Sequence, residues 1–319
     1  MREITFAEAA MEALAEEMRR DPKTFHMSTD APFPLVEEFG ESRVRATPIA
    51  ESALTGMAIG AAGSGFRPIV DWRQVTFAFV AMDQIVNQAA KIHYMFGGQA
   101  QFPILYRASV GGGGRSAAQH SQSPYSMFMN MAGLKITLAS TPYDVKGLLK
   151  SAIRDNNPVI AFESNRLAGL KGPVPEEDYT VPLGKADVKR EGTDITVVAL
   201  AWQVQEALAA AETLAAEGIS VEVVDPRTLV PLDQETIRKS VRKTGRLLVA
   251  DEAGPTAGAS AEIATLVVED PETFACLKAP PKRVCALQVP IPYSPVLEDY
   301  VFPDRKKIAA GVRVVLDIG

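Results

Sequence analysis

Glu51 and His120 are the two residues whose types and settings could do chemistry. Glu51 ends the run Thr47-Pro48-Ile49-Ala50-Glu51 and opens a stretch otherwise free of charge and rich in Gly and Ala. His120 lies in Ala117-Ala118-Gln119-His120-Ser121-Gln122, beyond a loop that begins Gly111-Gly112-Gly113-Gly114. A carboxylic acid set against apolar surface tends to keep its proton, because burial disfavours the charged form. A histidine on a Gly-rich loop can reach a substrate and exchange protons near neutral pH. Gln119, Ser121 and Gln122 can orient its ring by hydrogen bonds. Taken singly, each residue has a blander reading. Glu51 is then a helix N-terminal acid favoured by the dipole, His120 a structural hydrogen-bonding group, and Phe77 a core residue. The Gly run follows an apolar strand, as a phosphate loop would. It lacks the Rossmann spacing and any Gly-Lys-Ser/Thr, so it reads instead as a flexible loop carrying Arg115 and His120.

The elements that must position these groups alternate. Apolar residues at helical spacing over 5–20 end at Asp21-Pro22, and 25–27 reads as a short strand. A helix over 52–64, a strand over 67–71, a helix over 77–93 and a strand over 102–110 follow. A strand over 134–139, a helix over 142–154 and a strand over 159–163 complete the first half. Such alternation implies a parallel, helix-covered sheet. Gly56 and Gly60 strip one helix face of side chains, which suits close packing in the core or across a subunit interface. His93, inside a helix beside Tyr94, reads as structural. Residues 166–189 lose periodicity and collect Gly and Pro, marking a domain boundary between 1–180 and 190–319. The second part is again α/β, with strands expected over 195–199, 219–224, 247–250 and 284–287 and helices over 203–217 and 259–269. Its Asp225, Arg227, Asp251 and Glu252 fall at strand ends and read as structural ion pairs.

Composition narrows the function classes. The net charge is -6 and no Lys/Arg block stands out, so nucleic-acid binding has no electrostatic support. No stretch approaches the roughly 20 apolar residues that span a bilayer, and the acidic first helix is unlike a signal peptide. Cys276 and Cys285 form neither a disulfide framework nor a zinc pattern. Free thiols and a reduced, cytoplasmic setting are the expectation.

Seven stretches together carry a family resemblance. They are Thr47-Pro48-Ile49 with Glu51, Gly65-Phe66-Arg67-Pro68-Ile69, Met82-Asp83-Gln84-Ile85-Val86-Asn87, and Ala118-Gln119-His120-Ser121-Gln122. Further on come Ser151-Ala152-Ile153-Arg154-Asp155-Asn156-Asn157-Pro158, Val224-Asp225-Pro226-Arg227-Thr228-Leu229, and Asp251-Glu252-Ala253. Over nearly its whole length the chain resembles the beta subunit of the thiamine-diphosphate-dependent first component of 2-oxo acid dehydrogenase complexes. It is most similar to acetoin and pyruvate dehydrogenase beta subunits, through Tyr94-Met95-Phe96-Gly97-Gly98, Pro182-Leu183-Gly184-Lys185-Ala186-Asp187 and Ser294-Pro295-Val296-Leu297-Glu298-Asp299. The implied fold is a pyrimidine-binding domain with a parallel sheet plus a C-terminal transketolase-like α/β domain.

The resemblance also implies roles. Glu51 contacts the aminopyrimidine nitrogen of thiamine diphosphate, where a carboxylic acid favours the imino tautomer that removes the thiazolium proton. Phe77 lies against that ring. His120 handles protons of the substrate carbonyl during acyl transfer to a lipoyl arm. Ile104, Ala152, Ile153, Asp155 and Asn157 match a structural potassium site built largely of main-chain carbonyls. No Gly-Asp-Gly occurs in the chain, so the diphosphate and its Mg2+ are expected on an alpha subunit. The expected assembly is two alpha and two beta chains docked to a lipoyl acyltransferase core. One departure is Ser28-Thr29-Asp30-Ala31-Pro32-Phe33-Pro34: Thr29 replaces a usual acid, and the segment to Phe39-Gly40 is short. That opens the substrate to acetoin, a diketone, pyruvate or another 2-oxo acid. Two alternatives remain at this point, a split transketolase-like enzyme and a non-catalytic assembly subunit.

Overall fold

In a computed structural model, which describes residues 2–317, the chain forms two compact units. The first comprises residues 2–110, 127–163 and 168–183. In chain order it holds β1 (Arg2–Thr5), α1 (Phe6–Arg20), β2 (Thr24–Ser28), α2 (Phe33–Phe39), β3 (Val44–Ala46), α3 (Glu51–Gly63) and β4 (Arg67–Gln74). There follow α4 (Ile92–Met95), β5 (Leu105–Val110), a short α5 (Tyr125–Met129) that begins in the other unit, β6 (Lys135–Leu138), α6 (Pro142–Arg154), β7 (Val159–Ser164) and β8 (Lys171–Val174). The sheet order is β6-β7-β5-β4-β2-β3. The pairs β2–β3, β2–β4, β4–β5 and β6–β7 are parallel.

Local chemistry sets these elements. Thr5 caps α1 in a reciprocal box with Glu8, each side chain accepting from the other's main chain. Thr141 caps α6, and Pro142 occupies the first turn, where its missing N–H costs nothing. The two helices bury Ala9, Ala13 and Leu14 with Leu148 and Leu149. Lys146, Lys150 and Arg154 of α6 meet Glu12, Glu16 and Glu17 of α1. A buried polar contact ties α3 to β4: Trp72 Nε1 donates to Thr55 Oγ1 at 2.9 Å. Trp72 in turn stacks on Tyr106 of β5, with ring centroids 4.6 Å apart.

The second unit comprises 111–126, 164–167 and the described residues from 184 on. It contains β9 (Asp187–Arg190), β10 (Ile195–Ala199), α7 (Gln203–Ala215), β11 (Val221–Asp225), β12 (Thr228–Val230), α8 (Gln234–Thr244), β13 (Leu247–Asp251), α9 (Ala259–Val268) and α10 (Pro271–Cys276). Beyond them are β14 (Lys282–Cys285), α11 (Pro295–Val301) and α12 (Arg305–Leu316). The sheet runs β14-β13-β10-β11-β9, parallel except for the antiparallel edge strand β9. Its core joins Val197, Ala199, Val223 and Leu248 of the strands to Leu214 of α7 and Ile308 and Val312 of α12.

Three expectations change. The single helix over 77–93 is a 3-10 helix (Val75–Ala81), a π-helical segment (Asp83–Ala89) and the short α4. The 166–189 stretch is not structureless: β8 pairs antiparallel with β1, and β9 joins the second sheet. The Gly run is held by packing, as described below. Replacing Thr55 by Val keeps the shape but leaves the Trp72 indole N–H unpaired in the core. Urea unfolding of Thr55→Val should show a loss of about 1–3 kcal/mol; an unchanged midpoint would show that α3 is fixed by packing alone.

Candidate active site

In parallel α/β sheets, ligands gather beyond the carboxyl ends of the strands. In the first unit the loops leaving β3 and β4 at that edge carry Glu51 and Phe77. The carboxylate of Glu51 stands at the first turn of α3 and its residue is only 8% exposed. The three residues before it, Pro48, Ile49 and Ala50, are in solvent, with Ile49 84% exposed. Thr47 Oγ1 and Gln84 Oε1 are buried with no hydrogen-bond partner. Gln84 lies against the bare Gly56 position of α3, where an added Cβ would stand 3.7 Å from Gln84 Cγ. Phe77 is half-buried in the 3-10 helix. An acid held out of water, polar atoms without partners and an aromatic at the same sheet edge fit the pyrimidine end of thiamine diphosphate. Met57, Val80, Tyr94, Met95 and Phe96 of the same unit are also exposed.

The short 28–40 segment, singled out for the absent acid at Thr29, folds as the seven-residue α2 between the parallel β2 and β3. Leu35 anchors it in the core while Phe33 stays in solvent, and Gly40 closes it at φ +71.

The three histidines separate by environment. His26 in β2 is fully buried, and that burial holds its ring pKa down at about 4, so it stays neutral. His93 Nδ1 lies 2.6 Å from Ala100 O and ties off the 97–98 glycine turn. His120 is half-buried at the end of a three-residue 3-10 turn, Ala118–His120, in the second unit. Its main-chain N–H donates to Ala117 O at 3.4 Å. Gln122 Nε2 donates to Ala118 O at 3.1 Å, so this amide braces the turn's backbone. Gly111 N–H donates to Gln122 O at 3.0 Å and closes the loop at its base. Ser121 Oγ and Ser123 Oγ are buried without partners behind the turn.

The Gly run is not loose. A Cβ on Gly111 would lie 2.6 Å from Glu252 Oε1, one on Gly112 would strike the Phe302 ring, and one on Gly113 would lie 2.5 Å from Arg166 Cγ. Glycine serves here for close approach. Of the four charged residues at strand ends in the second unit, two make ion pairs and two do not. Asp225 lies 3.8 Å from Lys189 Nζ, and Arg227 Nη1 4.0 Å from Asp187, as weak ion pairs. Asp251 and Glu252 are instead a fully buried acid pair. Asp251 accepts from the Tyr125 hydroxyl and from Ala253 N–H, and Ser164 Oγ donates to Glu252 Oε2 at 3.4 Å. Burial pushes the Glu252 carboxyl up to about 8, with Arg166 pulling it down and Asp251 adding to the rise. Cys276 and Cys285 are unpaired, and burial pushes the Cys285 thiol up to about 11. A buried triad in the first unit escaped notice in the sequence. Arg107 makes a fork to Glu163 (2.8 and 2.9 Å) and meets Asp71 at 3.3 Å. The only early signal was an arginine inside an apolar strand.

The five residues matched to a potassium site lie at the opposite, amino edge of the first sheet. Val159 N–H donates to Ile104 O at 2.9 Å where β7 and β5 begin. Asp155 N–H donates to Ala152 O, and Arg67 Nη1 donates to Ile153 O and Asp155 O, both at 2.9 Å. Asn157 N–H and its side-chain amide both donate to Asp155 Oδ1. The Arg67 guanidinium thus already takes up two of these carbonyls in the structure. Among the described residues no three His, Cys, Asp or Glu side chains form a metal-binding group, and no helix is long and apolar enough to cross a membrane.

Comparison with known proteins fits this geometry. Residues 2–170 match the transketolase pyrimidine-binding domain and residues 184–308 the transketolase C-terminal domain. The chain is 50% identical to the acetoin:2,6-dichlorophenolindophenol oxidoreductase subunit beta of Bacillus subtilis, over 86% of this chain and 80% of that one. It is 44% identical to the 2-oxoisovalerate dehydrogenase subunit beta of the same organism (97% and 98%), and 42% identical to the pyruvate dehydrogenase E1 component subunit beta of Rickettsia felis (98% of each). Its fold is similar to that of a solved split-gene transketolase, an inactive beta4 tetramer, with TM-score 0.80, 24% identity and 99% of each chain covered. The chain belongs to the family of transketolase-type dehydrogenase beta subunits.

The buried acid pair makes a pH prediction. Between the ordinary glutamate value, about 4.3, and about 8, the folded chain holds a proton on Glu252 that the unfolded chain has released. The native state then binds more protons, so this group lowers stability as pH rises through that window and levels off above it. Glu252→Gln removes the slope: its melting temperature relative to the parent should rise from pH 5 to pH 8. A constant difference would exclude a proton held at Glu252.

Proposed function

We propose that this chain is the beta subunit of a thiamine-diphosphate-dependent dehydrogenase that cleaves acetoin or a 2-oxo acid beside its carbonyl and passes the acyl unit to lipoamide. The observation that carries the reading is the nearly buried Glu51 at the first turn of α3, directly preceded by an exposed apolar segment. When bound, thiamine diphosphate supplies a nucleophilic carbon for attack on the substrate carbonyl. Glu51 would hydrogen-bond the pyrimidine ring nitrogen, where a carboxylic acid favours the imino tautomer. Phe77 offers a ring face to the same heterocycle. His120 gives and takes the proton at the substrate oxygen. An alpha chain bearing Gly-Asp-Gly holds the diphosphate and Mg2+, in a complex of two alpha and two beta chains. A lipoyl acyltransferase core is the acyl acceptor. The carbonyls of Ile104, Ala152, Ile153, Asp155 and Asn157 hold a potassium ion.

Isolation of the complex from its native cell, with cofactor content assayed in the same sample, tests the assembly. Glu51→Gln should leave the subunits associated and lower turnover at least about 100-fold. A full-rate Glu51→Gln complex would leave only an assembly role for this chain. Exchanging potassium for lithium should lower the melting temperature of the complex by a few degrees; equal values in both salts would remove the cation from the 104/152–157 turn.

A further inference from the structure

The loop that presents His120 holds two non-glycine residues in the left-handed region. Arg115 has φ +52, and Ala117 has φ +60 with ψ -164. The second conformation is close to glycine-only, and such strain persists only where the surroundings over-determine it. Ala117 is also the residue whose carbonyl accepts from His120 N–H. Whatever forces Ala117 into place therefore sets the turn that carries the histidine.

The forcing contacts come from α11. Gly113 N–H donates to Glu298 Oε1 at 2.7 Å, and Arg115 Nη1 donates to Glu298 Oε2 at 2.6 Å. Arg115 also reaches both carboxylate oxygens of Asp299, at 2.8 and 3.1 Å, and Pro295 O at 3.0 Å. Glu298 is 0% exposed. A carboxylate early in a helix can bond its own first-turn N–H groups. Glu298 instead engages the histidine loop with both oxygens. Under it the Phe302 ring, one turn further along, fills the Gly112 position and lies 5.2 Å from the Arg166 guanidinium.

We infer that Glu298 is a positioning residue for His120: through Gly113 and Arg115 it fixes the loop in the strained path that orients the histidine turn. The inference rests on the proton-handling role proposed for His120. The loop is anchored before substrate arrives, and the charge-assisted bond to Arg115 is the stronger half of the anchor.

The test uses the assembled alpha–beta complex with cofactor. Glu298→Ala should lower kcat at least 100-fold with KM within about threefold. Glu298→Gln, which keeps an acceptor for Gly113 N–H, should fall between it and the parent. Amide hydrogen exchange should rise at least tenfold over residues 111–122 and stay unchanged in β10, β11 and β13. Ala117→Gly, which relieves the strain from within, should also lower kcat. The double variant Glu298→Ala/His120→Ala should be no slower than His120→Ala alone, since residues acting as a unit are not additive. Additive losses, or exchange rising uniformly through the second unit, would overturn the inference and leave Glu298 a purely structural acid. A Glu298→Ala enzyme at full kcat beside an impaired His120→Ala overturns the inference alone. A His120→Ala enzyme at full kcat overturns the functional role of the histidine and the positioning with it.

Discussion

Parallel strand pairing is the constraint on which the rest of the structure depends. Because β2, β3, β4 and β5 run in one direction, the segments leaving them emerge on one edge of their sheet. Within the first unit the chain places Thr47–Glu51 after β3 and the 3-10 helix with Phe77 after β4. The amino edge receives the return segments, and these satisfy main-chain carbonyls: Arg67 closes the end of α6, and β5 meets β7 through Ile104 and Val159. Groups suited to reaction and groups suited to holding the fold are thus sorted by strand direction before any side chain is chosen.

The two units handle buried charge differently. In the first, Arg107 is pulled from water but meets Glu163 through a two-pronged fork and Asp71 beside it. Opposite charges in good geometry offset the desolvation of each. In the second, Asp251 and Glu252 are adjacent acids, and burial raises the pKa of both. One partner is a phenol that donates a hydrogen bond. The nearest positive group is Arg166, whose stem also crosses Gly113. Three of the four glycines follow from these neighbours: a carboxylate, a ring and a guanidinium stem occupy the space that side chains at 111, 112 and 113 would need.

Much of this was legible in residue order. The α3 helix begins and ends within one residue of its expected 52–64 span. That signal is local. What was hidden depends on partners far along the chain. Lys171–Val174 contains Gly and Pro and shows no strand pattern, yet it is a strand because Arg2–Thr5 lies beside it. The 75–95 region has helical spacing, but its backbone winds too tightly and then too loosely for one α-helix. The Gly run read as mobile because sequence reveals the missing side chains and not what fills their place. Glu298 stood out only as part of a family-like run; its partners are some 185 residues earlier.

The exposed apolar surface around Ile49, Val80, Tyr94 and Met95 has a consequence for solubility. Such a surface, left in water, can adhere to any similar surface. Left uncovered, this chain would therefore carry an aggregation hazard of its own. The solubility of this chain is thus tied to how that face is covered.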